Sequence, residues 1–238
     1  MTVFSARKLL QNRRWVIVAS LAALVTSVMG YAATQDMADA GTASDMTLLL
    51  MVAFLLPVLA LIYGASMIRN EVDDRSIVQV ITSPLDRRTS YLGYYMALVA
   101  VLCVLISLIT LVGGMAFLLF SSDGGGVLEM TLSFIAVQML GVLVYSSLFL
   151  VMGTLMKQPI YLGLLYVFVW EGFVASVPGA IGSYTIRHQL QVIASGVISE
   201  GSVASVTGDG GISALVLVAL TAVLVLLGAY LFREMEVA

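Results

Sequence analysis

The sequence predicts an all-α integral membrane protein with six transmembrane helices. Of its 238 residues, 61% are hydrophobic and only 11% are charged, and the mean hydropathy is +1.06. This composition provides several apolar runs long enough to cross a hydrocarbon layer of about 30 Å. Each run must be helical, because lipid offers the backbone no hydrogen-bond partners and no run shows the alternation of a barrel strand.

The predicted spans follow the apolar runs of the chain in order. They are Trp15 to Ala33, Thr47 to Ile68, Ser90 to Phe120, Met130 to Met156, Ile160 to Val177, and Ile212 to Phe232. The first run is too long for the apolar region of a cleaved signal peptide, so we expect it to remain as a span. The basic leader before it, residues 1–14, is either an amphipathic helix on the inner membrane surface or a plain basic flank.

The distribution of Lys and Arg predicts that both termini are cytoplasmic. Basic loops are retained on the inner side, and only Arg187 of the eleven Lys and Arg residues falls in a segment predicted to lie outside. The others share the inner side: Arg7, Lys8, Arg13, Arg14, Arg69, Arg75, Arg87, Arg88, Lys157 and Arg233. The whole chain, 1–238, therefore reads as a single transmembrane domain.

Several functional classes are excluded by residue content. One cysteine, Cys103, cannot form an intramolecular disulfide, and one histidine, His188, cannot complete a conventional His/Cys metal cluster. The Gly-rich stretch from Asp123 to Gly126 lacks the Gly-Lys-Ser/Thr sequence of a phosphate-binding loop. The net charge of −3 gives no reason to expect nucleic-acid binding. We therefore expect no cofactor, metal or catalytic site in this chain.

The run Gly64-Ala65-Ser66 offers a candidate nucleophile, with His188 as its base. The predicted topology places Ser66 near the inner end of the second span and His188 beyond the outer end of the fifth. That separation rules out the hydrogen-bond contact that such a pair needs. The small residues are instead predicted to form a helix-packing surface.

Glu171 is an acidic residue within the predicted fifth span, in its outer half. A carboxylate at that depth costs a few kcal/mol unless it is protonated, paired or in water, so we expect it to face the bundle interior or a cavity. It is either a residue of a transport path or gate, or a structural hydrogen-bond acceptor for a neighbouring helix or subunit.

The segment from Pro178 to Gly211 lies outside the membrane in this topology. Within it, Ser183 to Ile198 has apolar residues at helical spacing, which predicts an amphipathic helix resting on the outer face. The following Ser199 to Gly211 is predicted to be a flexible loop.

Residues 69–89 form a polar island between the second and third spans. Eight of the charged residues fall within about twenty positions there, around a short apolar stripe that includes Ile77 and Ile81. Asp73 and Asp74 favour a helix N-terminus, and Pro84 disfavours helix at Ser83. The pattern predicts a short amphipathic helix and indicates a docking surface for a soluble partner.

This order of features resembles the type-2 ATP-binding-cassette exporter permeases, the ABC-2 family. The resemblance rests on Glu71-x-Asp73 after a long second span, Ser83-Pro84-Leu85 with Arg87-Arg88 before a long third span, and the tail beginning at Arg233. The spacing from Trp170-Glu171 to Pro178-Gly179 resembles a subset that includes the nitrous-oxide-reductase maturation type. Arg75 departs from the family, which often has Gly there.

The resemblance implies that the island is a coupling helix, which docks into a groove of a separate ATPase subunit. The implied docking residues are Glu71, Asp73, Asp74, Arg75, Ile77, Ile81, Pro84, Arg87 and Arg88. It also implies a homodimer or pseudo-dimer of permease subunits in a prokaryotic plasma membrane, with ATP and Mg on the partner ATPase. The chain itself would not be an enzyme.

Two other classes remain open at the level of the sequence. One is an ATPase-independent secondary transporter or channel, and the other is a membrane scaffold or assembly protein. The substrate is also open, since lipid, glycolipid, peptide and drug export all fit an apolar path.

Overall fold

The computed structural model describes residues 14–34, 39–73, 87–120, 124–156, 158–176, 182–198, 201–206 and 208–234, in which every regular element is helical. The α-helices are α1 (Arg14–Thr34), α2 (Ala40–Met46), α3 (Leu56–Asp73), α4 (Arg87–Phe120), α5 (Gly124–Leu155), α6 (Pro159–Leu165), α7 (Ile186–Ser195) and α8 (Gly210–Glu234). Two π-helical segments, Thr47–Leu55 and Tyr166–Phe173, extend α2 into α3 and continue α6. Short 3₁₀ turns occupy Val174–Ser176, Gly182–Tyr184 and Ser202–Ser205.

Five helical stretches of the described chain are long and apolar enough to cross a membrane. They are Val16–Thr34, Ala40–Ile68, Arg88–Phe120, Gly125–Leu155 and Gly210–Glu234. All five correspond to predicted spans. The second span begins earlier than predicted, because α2 already starts at Ala40. This start lies within a polar stretch that the sequence predicts to be a connecting loop.

The predicted fifth span differs from the other five. Its apolar helical segment is only Pro159–Phe173, made of the seven residues of α6 and the eight of the π-helical segment. At 1.5 Å per residue these fifteen residues are about 22 Å long, and the 3₁₀ turn Val174–Ser176 continues the helical run directly after them. Six complete spans are therefore not confirmed, and the cytoplasmic position of both termini stays a prediction.

The helix α5 is the centre of the bundle. It packs against α3, α4 and α8, whereas α1 packs mainly on α4. The second and fourth spans bury 72% and 67% of their most apolar windows, but the first and last bury only 28% and 22%. The core therefore lies between α3 and α5, and α1 and α8 present most of their apolar surface outward.

Small residues allow α3 and α5 to approach closely. A Cβ atom added to Gly153 would lie 2.9 Å from the carbonyl oxygen of Ala65, and one added to Gly64 would lie 3.1 Å from Cβ of Phe149. The Ser66 hydroxyl donates to the carbonyl oxygens of Ile62 and Tyr63 in its own helix. The predicted helix-packing role of Gly64-Ala65-Ser66 is thus confirmed.

Aromatic side chains join the first turns of α4 to the last turns of α8. Phe232 packs against the rings of Tyr91 and Tyr94, with ring centroids 5.9 Å and 6.4 Å apart. Gly228 lies directly against the Tyr91 hydroxyl, where a Cβ atom would overlap it. We call Tyr91, Tyr94, Gly228 and Phe232 the aromatic clasp. It links the helix that follows the polar island to the last span.

Replacing Gly153 by alanine should destabilise the protein, because the new methyl group would collide with the Ala65 carbonyl and push α3 away from α5. Overpacking of this kind costs about 1–3 kcal/mol. The measurement is the midpoint of thermal unfolding in mild detergent. The matched control is Gly93→Ala, since a Cβ atom at Gly93 meets nothing within 4 Å. Equal midpoints for the two variants would contradict this account of the packing.

Candidate functional site

The polar island lies largely outside the described residues. Asp74, Arg75, Ile77, Ile81 and Pro84 all fall in the gap between α3 and α4, so the predicted coupling helix stays a prediction.

The ends of the island belong to the neighbouring helices. The helix α3 continues past the predicted end of the second span, through Glu71 to Asp73, and α4 starts at Arg87. Arg88 has an exposed side chain in the first turn of α4. The two described ends of the island are therefore parts of α3, as far as Asp73, and of α4, from Arg87.

Glu171 is buried in the bundle, with only 1% of its surface exposed. It lies on the inward face of the α6 and π-helical segment, where buried residues recur at every fourth position. These residues are Pro159, Gly163, Val167 and Glu171. The prediction that Glu171 faces the bundle interior is confirmed.

The carboxylate of Glu171 accepts hydrogen bonds at both oxygens. Its Oε1 atom accepts from the Tyr166 hydroxyl at 2.8 Å and from the backbone N–H of Ile186 at 3.1 Å. Its Oε2 atom accepts from the backbone N–H of Arg187 at 2.9 Å. Ile186 and Arg187 are the first two residues of α7. Glu171 therefore occupies the N-terminus of α7, where a helix dipole favours negative charge.

Thr185 completes this N-terminus. Its side-chain oxygen accepts from the N–H of His188 at 3.2 Å, and its hydroxyl donates to the Gly182 carbonyl at 2.9 Å. The first three N–H groups of α7 are thus all paired, two by a carboxylate from a different segment and one by the ordinary cap residue. This arrangement lets a helix begin where water is excluded.

Contacts with α5 give the depth of Glu171. The Tyr166 ring packs edge-on against Phe149 at 6.2 Å, and Phe149 stacks with Tyr145 at 6.1 Å. The Tyr145 side chain is completely buried beside this cluster. Tyr145 precedes the end of α5 at Leu155 by ten residues, or about 15 Å. Glu171 therefore lies beside the stretch of α5 that carries Tyr145 and Phe149, inside the bundle.

The helix α7 packs against the bundle with its apolar face buried. Leu190 is fully buried, and its side chain meets that of Leu56 around Gly141, close to the middle of the span Gly125–Leu155. Towards its other end, Val192 packs on Gly208, just before α8 begins. The helix predicted within Ser183 to Ile198 is therefore present as Ile186–Ser195, and its location on the outer face stays a prediction.

The 3₁₀ turn Ser202–Ser205, which follows α7 in the chain, contacts the start of the second span. The N–H of Ser202 donates to Oδ1 of Asp45 at 2.6 Å. Gly201, with a φ of 70°, sits against Gly41 and Asp45, where the positive φ and the lack of space both favour glycine. Asp39 caps α2 and accepts from Thr42, and this hydrogen bond lowers the pKa of the Asp39 carboxyl. The polar outer connectors thus have a structural role that the sequence did not predict.

A second polar contact inside the bundle joins α4 to α5. The Thr110 hydroxyl donates to Oε1 of Gln138 at 2.7 Å, and both side chains are buried. The sequence feature that could have predicted this contact is a glutamine within an apolar run. The sequence analysis did not use it. Among the described residues no group of three His, Cys, Asp or Glu could hold a metal ion.

The ABC-2 family transporter model matches residues 9–237, nearly the whole chain. The chain therefore belongs to the ABC-2 transporter family. It is a multi-pass membrane protein and the permease component of an ABC transporter. The match does not separate the nitrous-oxide-reductase maturation type from the rest of the family, and no curated protein matches the chain.

Replacing Glu171 by alanine should destabilise the protein strongly, because two backbone N–H groups of α7 would be left unpaired inside the bundle. Each unpaired group costs about 1–3 kcal/mol. Glu171→Gln should have an intermediate effect, since the amide keeps one acceptor oxygen but turns an NH₂ donor towards the remaining N–H.

The measurement for these variants is the unfolding midpoint in detergent, and the matched control is Glu129→Gln, a substitution at an exposed acidic residue of α5. A Glu171→Ala protein as stable as this control would show that the carboxylate does not hold α7.

Proposed function

We propose that this chain is the permease subunit of an ABC exporter that works as a dimer with a separate ATPase subunit in a prokaryotic plasma membrane. The observation that carries the proposal is the buried N-terminus of α7, which Glu171 of the preceding segment holds inside the bundle. In this proposal the buried end lies within the membrane, so that α7 is a re-entrant helix. Discontinuous helices with buried ends are typical of transport sites, where part of the chain must move without exposing backbone to lipid. Glu171 is accordingly the candidate gate residue of the transport path.

The polar island would be the segment that the ATPase displaces when it binds and hydrolyses ATP. In this proposal Glu71, Asp73 and Asp74 pair with basic groups of the ATPase, and Ile77 and Ile81 fill an apolar part of its groove. Arg75 adds a charge to this surface, and Pro84 ends the docking helix. Arg87 and Arg88 hold the start of α4 at anionic headgroups. ATP and Mg would be bound by the partner, and this chain would supply no catalytic group.

The contacts between helices provide a route from the island to the gate. The helix α4 begins at the end of the island, and the aromatic clasp fixes its first turns to the end of α8. The helix α8 in turn packs along α7. A rigid displacement of the island would therefore move α8 as well as α3 and α4, and would shift α7 relative to Glu171. Release of this contact would open the path outward.

A secondary transporter remains the second candidate, since a buried carboxylate at the end of a re-entrant helix also suits an ATPase-independent carrier. The two candidates differ in whether a soluble ATPase accompanies the chain.

Purification of the tagged chain from its native membranes in mild detergent should yield a stoichiometric soluble ATPase. The double substitution Ile77→Asp/Ile81→Asp should remove that ATPase without preventing membrane insertion, because it places charges on the apolar docking stripe. The readout is the amount of ATPase recovered per permease.

The control for this experiment is Val197→Asp, an apolar-to-acidic change at an exposed position after α7. It should keep the ATPase bound. Absence of any ATPase from the unmodified chain would argue for the secondary transporter, and retention by the double variant would reject the island as the docking site.

A further inference from the structure

We infer that Arg187 binds an anionic group, a phosphate or a carboxylate, of the molecule that this protein transports. Arg187 lies in the first turn of α7, and its side chain is half-buried. Its Nε atom is buried and has no hydrogen-bond acceptor among the described residues. The inference rests on the proposed transport function, and it names the class of substrate.

Within the described part of the chain, no carboxylate forms an ion pair with the Arg187 guanidinium. Both oxygens of Glu171 already accept hydrogen bonds, from a tyrosine hydroxyl and from the backbone of α7. Three further carboxylates on the predicted outer side accept from backbone N–H groups at the starts of other helical elements. They are Asp39, Asp45 and Asp209. These four acidic side chains hold helix starts, and the guanidinium is left for another partner.

The chemistry of that partner follows from the side chain. An unpaired cation inside an apolar bundle is unfavourable, and ionisable residues in such positions mark substrate or ion pathways. The planar fork of N–H donors in arginine matches two oxygens of a phosphate or a carboxylate at once. Arg187 is also the one Lys or Arg residue that the predicted topology places on the outer side. An anionic ligand gives this charge a role that topology does not.

Tyr145 supplies a second unpaired donor in the same cluster. Its ring stacks on Phe149, whose ring meets Tyr166, the hydrogen-bond partner of Glu171. The Tyr145 side chain is fully buried, and its hydroxyl has no hydrogen-bond partner among the described residues. This hydroxyl lies within electrostatic range of the Arg187 guanidinium. Two donors without acceptors, one of them charged, point to a single ligand that carries anionic oxygens.

The ligand would approach from the side of the bundle that carries Tyr184. Tyr184 precedes Arg187 by three residues and is 78% exposed, whereas Tyr145 forms the buried end of the site. An anion held by Arg187 would bring a second negative charge close to Glu171. Like charges repel, so the bound substrate would weaken the hydrogen bonds with which Glu171 holds α7. Substrate binding and release of the gate would thus be coupled.

The experiment measures the binding of defined anions to the purified full-length chain, with any companions, in a neutral detergent. The probes are dodecyl phosphate and inorganic phosphate, and dodecyltrimethylammonium is the cationic counterpart. The readout is the thermal unfolding midpoint against probe concentration, because a ligand of the folded state raises that midpoint. The variants are Arg187→Gln, Arg187→Lys and Tyr145→Phe. The matched control is Arg233→Gln, which removes an exposed positive charge near the end of α8.

We expect dodecyl phosphate to raise the midpoint of the unmodified protein and of the control. The apparent affinity should fall at least ten-fold in Arg187→Gln and about three-fold in Tyr145→Phe, with Arg187→Lys between the unmodified protein and Arg187→Gln. An equal effect of inorganic phosphate, also dependent on Arg187, would support the site and identify a soluble anion as its ligand. An effect of dodecyl phosphate alone would support the site and identify an anionic amphiphile.

The inference would be overturned by the absence of a shift with either anion, by an equal shift with the cationic probe, or by unchanged affinity in Arg187→Gln. If Arg187→Gln does not fold, Tyr145→Phe decides, since it keeps the aromatic stack and removes only the hydroxyl. Unchanged affinity in that variant would then overturn the inference. Recovery of an ATPase is measured separately, so the anion site can fail while the proposed exporter stands, and the reverse.

Discussion

The hydrogen bonds from the first turn of α7 to Glu171 are the interaction on which the rest of this structure depends. A helix that starts inside a bundle of apolar helices leaves N–H groups that water cannot reach and apolar side chains cannot satisfy. One carboxylate supplies acceptors for two of them and is itself stabilised by the helix dipole and the Tyr166 hydroxyl. A buried carboxylate and a buried helix end are each unfavourable alone. Together they are stable, because each satisfies the hydrogen bonds of the other.

This interdependence explains the unusual form of the neighbouring segment. A π-helical turn shifts the side-chain register. Here it places Glu171 within hydrogen-bond distance of Tyr166, five residues before it, and both side chains point towards the interior of the bundle. Long π-helical stretches are rare and occur mainly at functional sites. The second such stretch, Thr47–Leu55, lies in the span whose Leu56 meets α7 around Gly141. Both π-helical segments therefore lie close to α7.

The rest of the bundle provides a rigid frame for this element. The close contact of Gly153 with α3 and the buried hydrogen bond from Thr110 to Gln138 hold α5 against α3 and α4. Packed interfaces of this kind shift between discrete arrangements more readily than they deform. A movement that begins at the inner ends of α3 and α4 would therefore reach α7 as a displacement of whole helices.

The sequence by itself determined the helical membrane class, five of the spans, the packing role of Gly64 to Ser66 and the inward orientation of Glu171. Each follows from local composition, because apolar length, small side chains and the cost of a charge in lipid do not depend on distant residues. Only the tertiary structure decided that the fifth apolar run is an α-helix continued by a π-helix, that α7 packs into the bundle and that Glu171 caps it. Those features depend on residues fifteen positions apart meeting across a turn, and on packing against α5. An amphipathic pattern predicts that one face of a helix is buried, but it does not identify the distant side chain that satisfies the helix end.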